Sequence, residues 1–373
     1  MRRLLLASGA STCCLAIALT TASEVMVPGP AAERSKSVIG AKVYEYKGDF
    51  DRLFNHWSGM GINTIWASEA LVRAPGFREA AKRRRLSVYI IAPIFFNPAV
   101  LARQPELWAI TGYGERARDE WVEFVCPSRT DYRQSRVEWI KGMVREVEPD
   151  GISIDFIRHF IFWEKVPPDA KLDPLRSSCF CPHCLQAFQA SEQVTIPRNL
   201  ATTREQAQWI VASHLTEWSN WKCRTITSVV ETIAREARVV SPDIKLVVHL
   251  VPWREKDFNG AWKTIVGQDV RSLAKLVDVL SPMCYAHMVG QDAGWIHAVV
   301  EDVQRRGPGR TVIPAIQVKE AYRPETMTAA EFERHLSQAL LPPSRGVALW
   351  EWPALEKDRR KQEILRATAE RGF

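Results

Sequence analysis

The sequence predicts an α/β fold, a (β/α)8 or TIM barrel. Three observations predict it. Eight short apolar, β-rich runs recur along the chain. Segments of helical period lie between most of them, as in parallel β-α units. No glycine-rich phosphate loop follows the first run, which argues against an open doubly wound sheet.

The runs are Val38–Tyr44, Ile62–Ala67, Leu86–Ile94, Gly151–Phe156, Ile244–Leu250, Val277–Met283, Thr311–Ile316 and Gly346–Trp350. They are nearly continuously apolar, as strands covered on both faces must be. Helical period marks Phe50–Gly59, Tyr132–Val147, Gln206–Val239, Val270–Lys275, Trp295–Arg305, Ala330–Leu340 and Arg359–Ala369. Two connections are long, 95–131 after the third strand and 157–204 after the fourth. In a barrel both leave from the C-terminal face, where active sites sit, and loops of that length shape clefts.

The chain has 373 residues, 46% apolar and 25% charged. That composition suits a large buried core and excludes wholesale disorder. Lys and Arg (50) exceed Asp and Glu (43), a formal charge of +7. No basic stripe interleaved with aromatics accompanies that excess, so nucleic acid is not an expected partner. Fourteen tryptophans are many, and exposed indoles stack on flat ligand faces such as sugars.

The first residues read as an export signal rather than as fold. Arg2 and Arg3 precede a mostly apolar or small run, Leu4 to Ala18, followed by small residues to Ser23. We expect a signal peptide over 1–23, a Pro- and Ser-rich linker over 24–37, and a barrel domain over 38–373 that includes a cysteine-rich loop at 157–204. An uncleaved anchor is the alternative, although the run is short for a span. The expected location is periplasmic or extracellular, with no membrane span once the signal is removed.

Cys179-Phe-Cys181-Pro-His183-Cys184 places three thiols within one short segment, and Cys126 is a plausible fourth. Four thiolates suit a tetrahedral zinc ion with no open position, which makes such a metal structural. Disulfides are the alternative in an oxidising compartment. Cys223 and Cys284 fall in helix and strand patterns and read as small buried hydrophobes.

Cys126-Pro-Ser-Arg-Thr-Asp-Tyr-Arg, a helix, a strand, then Cys-x-Cys-Pro-His-Cys and Phe188 resemble the zinc-cluster region of glycoside hydrolase family 42 β-galactosidases. The resemblance covers about 60 residues and implies Cys126, Cys179, Cys181 and Cys184 as structural zinc ligands. It ends before the chemistry: Asp155-Phe-Ile-Arg158-His159 stands where those enzymes carry an Asn-Glu pair. That segment, read from Asp150, instead resembles the Asp-Gly-(x)3-Asp-(Tyr/Phe)-Ile-Arg signature of glycosyl-hydrolase-like barrel families. Leu280-Ser-Pro-Met283-Cys-Tyr285 and Gly346-Val-Ala-Leu-Trp350 resemble two further strands of those families. The resemblance implies a carbohydrate-active barrel with Asp155 as a catalytic residue.

The residues themselves agree. A carboxylate ending a barrel strand points into the mouth, and Arg158 nearby would keep it ionised for use as nucleophile or base. The alternative is a structural Asp155–Arg158 ion pair. Glycoside hydrolysis normally takes two carboxylates. Strand ends offer Glu45, Glu69, Glu320 and Glu351, of which Glu351, between Trp350 and Trp352, is ranked first. Arg158, His159, His249, Trp253, Tyr285, His287, Gln317 and Trp350, with Glu45 and Glu69, form the expected substrate-binding ring.

The expected function is a secreted glycoside hydrolase acting on a polysaccharide or oligosaccharide. The alternative is a barrel that binds carbohydrate without cleaving it. A metal-dependent hydrolase such as a deacetylase would need spaced His ligands, and neither His-x-x-x-His nor His-Glu-x-x-His occurs. Nucleophilic-serine and phosphoryl chemistry find no motif either.

Overall fold

In the computed structural model, residues 37–372 are described, and the leader and nearly all of the linker expected before residue 38 lie outside them. Among the described residues one parallel sheet contains nine strand segments. They are β1 (Val38–Val43), β2 (Thr64–Ser68), β3 (Ser87–Pro93), β4 (Gly151–Asp155), β5 (Lys245–Leu250), β6 (Val279–Pro282), β7 (Thr311–Val312 and Ala315–Gln317) and β8 (Gly346–Trp350). The two pieces of β7 are halves of one strand: the first pairs with β6 and the second with β8. Pro314 between them has no amide hydrogen to give a neighbour, and its carbonyl accepts from Ala348 at 2.9 Å. β8 returns to β1, with Val38 opposite Gly346, and a bridge from Met283 to Ala315 completes the ring. The structure is the expected eight-stranded barrel, and every predicted run is a strand of it.

Strand alternation separates two cores. On β3, Val88, Ile90 and Ala92 face the helices, whereas Ile91 faces the barrel interior with Tyr89 packed beside it. On β5, Leu246, Val248 and Leu250 face outward and Val247 inward. Such two-sided burial is why these strands look uniformly apolar in sequence. Trp66 is buried on the inner side, and Gly40 on β1 makes room for it: a Cβ there would lie 1.7 Å from the Trp66 ring.

The covering helices are α1 (Phe50–Ser58), α2 (Phe77–Arg83), α3 (Thr130–Val147), α4 (Pro182–Glu192), α5 (Thr203–Ser213), α6 (Leu215–Val240), α7 (Ala293–Arg306), α8 (Ala329–Ala339) and α9 (Arg359–Arg371). Asp49, Thr202, Asp292, Thr328 and Asp358 cap α1, α5, α7, α8 and α9 through their side chains, each cap worth about 1 kcal/mol. The single helix expected over Gln206–Val239 is two. The chain breaks at His214 (φ −138°), whose ring lies 4.6 Å from that of Trp209. No helix among the described residues is long and apolar enough to cross a membrane.

The two long connections are joined to each other. Gly112 donates to the Leu175 carbonyl at 2.7 Å, and Phe180 to that of Ile110 at 2.8 Å. The segment after β3 thereby reaches across to the segment after β4, above the C-terminal ends of the strands.

Candidate active site

Asp155 is the last residue of β4 and is 8% exposed. Its Oδ1 accepts the backbone N–H of Phe156 at 2.7 Å. Phe156 has a φ of 48°, a conformation costly for a bulky side chain and common where function constrains the backbone. Asp155 lines two adjoining cavities. The smaller, about 100 Å³, also takes in Lys42, Arg158, Glu164 and Tyr285. The larger, about 390 Å³, takes in Ser68, Phe96 and Glu351. Tyr44, Trp121, Phe156 and Trp350 border both.

Three ionisable groups that line the smaller cavity with Asp155 are buried. Lys42, a lysine within a strand, is 1% exposed, and its Nζ lies 3.5 Å from the Tyr285 hydroxyl. Burial lowers its ammonium pKa to about 8 against the opposing pull of Asp155. Arg158 does not form the structural ion pair with Asp155 that is the alternative reading of the sequence. Its Nη1 donates to the Ile161 carbonyl at 2.9 Å, and its guanidinium lies 4.9 Å over the Phe124 ring. Glu164, in the 3-10 turn Trp163–Lys165, is 9% exposed. Burial pushes its carboxyl up to about 7; Arg158 opposes that rise and Asp155 adds to it. The Nε of Arg158 and the Oε2 of Glu164 have no hydrogen-bond partner. Buried polar atoms without a partner are uncommon in folded proteins and mark a site that calls for an explanation.

Aromatic rings enclose this group. Tyr285 stacks between Trp163 and Trp350, at centroid distances of 5.8 and 4.9 Å. Under the floor, His249 Nε2 and Ser153 Oγ are 2.7 Å apart. Burial, with Lys42 close by, lowers His249 to about 3, so it is neutral.

Of the residues named from the sequence, Asp155, Arg158, Tyr285, Trp350 and Glu351 meet at these cavities. Glu351 is partly exposed and its carboxylate lies 3.4 Å from Lys319. The others are placed elsewhere. Glu45 is exposed, and its neighbour Tyr44 lines the cleft instead. Glu69 is occupied by Arg73 and by the indole of Trp139, both at 2.8 Å. Glu320 accepts from the Met327 amide. His159 is buried against Gly267, where burial and Lys222 hold its pKa well below the usual value. His249 lies beneath the cavities, and Trp253 packs on Phe258. Both nitrogens of His287 are taken, by Glu331 and the Glu325 carbonyl. Gln317 braces the Met288 amide and the Lys319 carbonyl. Glu320, His287 and Gln317 are engaged by loop backbone, which a polar residue near a strand end can reach as readily as the cavity.

The four cysteines come together as expected. Cys126, before α3, meets Cys179, Cys181 and Cys184, at and before the start of α4; all are buried and their sulfurs lie within 4.8 Å of one another. Cys126 Sγ is 3.6 Å from Cys181 and 3.3 Å from Cys184, and all four are free thiols. A zinc ion with Zn–S bonds of about 2.3 Å in tetrahedral geometry separates its sulfurs by about 3.8 Å, so the donor set fits a metal of that kind. The Ile110 amide donates to Cys179 Sγ and the Cys184 amide to Cys181 Sγ, both at 3.4 Å, as thiolate ligands require.

No family model matches the chain, and no curated protein matches it significantly. Solved structures share its fold. The β-galactosidase of the psychrophilic Marinomonas ef1 is 12% identical over 89% of this chain and 59% of its own, with a TM-score of 0.65. The glycoside hydrolase domain of PgaB (BpsB) from Bordetella bronchiseptica is 16% identical over 89% of this chain and 98% of its own, with a TM-score of 0.65. A GH42 β-galactosidase from G. stearothermophilus is 12% identical over 91% and 58%, with a TM-score of 0.59. The chain thus spans about three fifths of the length of these β-galactosidases and nearly all of the PgaB domain. The fold is that of glycoside hydrolase barrels, and it carries a buried four-cysteine cluster.

Proposed function

We propose that this protein is an exported glycoside hydrolase acting on a polysaccharide or oligosaccharide, with Asp155 and Glu164 as its two catalytic carboxyl groups. The observation that carries the reading is their placement on one cavity wall, one at a strand end and the other buried with an unpartnered oxygen. The two environments suit two roles. Glu164, kept protonated by burial, donates its proton to the leaving glycosidic oxygen as the C1–O bond breaks. Asp155 faces the positive charge that develops at C1, by bonding to it or by taking a proton from the water that attacks it. Water supplies the hydroxyl that ends on C1, and its remaining proton restores the acid. The Trp350 ring, which borders both cavities, gives the sugar an apolar face to lie on.

Glu351, expected from the sequence as the second catalytic carboxylate, is assigned a binding role in this reading. On the rim of the larger cavity and next to Lys319, it binds substrate hydroxyls. Zinc held by Cys126, Cys179, Cys181 and Cys184 would supply no step of the reaction; it would fasten the connection after β3 to the one after β4, which carries Glu164. Asp155→Asn tests the reading on a panel of glycans. Cleavage by the wild type that vanishes in the variant supports it, and activity surviving in the variant removes Asp155 from the mechanism. Glycan binding without cleavage by the wild type would favour a non-catalytic barrel.

A further inference from the structure

The mouth of the barrel is spanned. Trp121 comes from the connection after β3 and Tyr322 from the one after β7, strands on opposite sides of the eight-stranded ring. The Trp121 indole N–H donates to the Tyr322 hydroxyl at 2.7 Å. Phe162, after β4, packs edge-on against both rings, at 6.0 and 5.2 Å. Lys165 pairs with Glu120 and lies 5.6 Å over the Tyr322 ring. Tyr322 holds a φ of 59° in this arrangement.

The bridge sits where the two cavities meet. Trp121 borders both, whereas Tyr322 borders the smaller alone. Pockets that bury drug-sized ligands run to about 300–1,000 Å³, so the smaller compartment, about 100 Å³, has room for one sugar ring at most. The buried ionisable groups that hydrolysis would use, Lys42, Arg158 and Glu164, line this smaller compartment and not the larger one. The larger compartment, about 390 Å³, continues past Asp155 toward Ser68 and Glu351.

We propose that the smaller compartment receives the single sugar at the non-reducing end of a chain, with the rest of the chain leaving through the larger one, so that the substrates are chain ends rather than internal bonds. The inference rests on the glycosidase reading for the direction of the chain. The enclosed ring is then the one whose C1–O bond lies at Asp155, and the Trp121–Tyr322 bridge is what stops a further sugar beyond it.

The test uses oligosaccharides of neutral hexoses, hexosamines and uronic acids. Each is supplied free and with a bulky aryl acetal on its non-reducing terminal sugar. Binding to the Asp155→Asn protein is followed by tryptophan fluorescence, and wild-type products are followed from the first turnovers. We expect free chains to bind at least tenfold more tightly than capped ones, monosaccharide to be the first product, and Trp121→Ala to shrink the tenfold preference to under threefold. Capped chains that bind as well as free ones, or oligosaccharides as first products, would overturn the proposal and leave the glycosidase reading standing. The free-end preference without any cleavage would sink the glycosidase reading and uphold the pocket for a chain end. Binding of no saccharide would overturn both.

Discussion

Glu164 and Arg158 line one cavity, and Glu164 Oε2 and Arg158 Nε are both buried without a hydrogen-bond partner. Burial outweighs the guanidinium's attraction and leaves the Glu164 carboxyl at about 7. An acid so placed holds its proton below about pH 7 and loses it above that. The hydrolysis rate is therefore expected to fall as pH rises through about 7. In Glu164→Gln that alkaline limb should vanish, with kcat down by about 10²–10⁴, the range for a lost general acid. An unchanged limb in the variant would assign it to another group.

The same group makes stability depend on pH. Its folded value lies above the ordinary 4.5, so the folded state holds the proton more tightly. Its contribution is full below about 4.5, is lost as pH rises through about 7, and stays lost above that. The shift corresponds to about 3 kcal/mol. Glu164→Gln removes the titration, so melting curves should show the variant gaining on the wild type by several degrees between pH 5 and pH 8. Parallel Tm profiles would contradict this.

How far the sequence discloses the site depends on what fixes each residue. Asp155 is legible because an apolar strand pattern ends on it, and the cysteines because thiols at that spacing have few uses. Glu164 is not: it lies in an aperiodic loop, and its burial exists only once Trp163 and the joined connections close over it. Lys42 is hidden differently, since a lysine in a strand suggests a solvent-facing position until ring closure turns that face inward. His287 and Gln317 mislead because their partners, Glu331 and the Met288 amide, are brought to them only by the folded chain. The eight strands need no such information, because burial on both faces is written in their composition.

The cysteine cluster is expected to hold one zinc per chain, measured by elemental analysis of protein purified without chelator. Cys184→Ser should lose the metal and lower the Tm, because the two long connections lose their fastening. Wild-type protein free of metal, with two or four of its six described thiols unreactive until reduced, would assign the cluster to disulfides instead.

Gly40→Ala tests the barrel interior. The added methyl group would overlap the buried Trp66 ring, and overpacking of this kind costs about 1–3 kcal/mol. Chemical denaturation should show a loss in that range. Gly76→Ala, where a Cβ would meet nothing within 4 Å, separates steric overlap from backbone strain: Gly76 carries a φ of 82° and should lose less. Equal losses would show that the Trp66 contact does not limit the site.

The division of labour between the two carboxyl groups is tested most directly by leaving-group dependence. Wild type, Asp155→Asn and Glu164→Gln are compared on a natural glycan and on the 2,4-dinitrophenyl glycoside of the same sugar, whose leaving group needs no proton. Glu164→Gln should lose the natural substrate but cleave the activated one within about tenfold of wild type, given the size of a general-acid contribution. Asp155→Asn should lose both. Equal losses on the two substrates in Glu164→Gln, or cleavage of either by Asp155→Asn at the wild-type rate, would contradict the account.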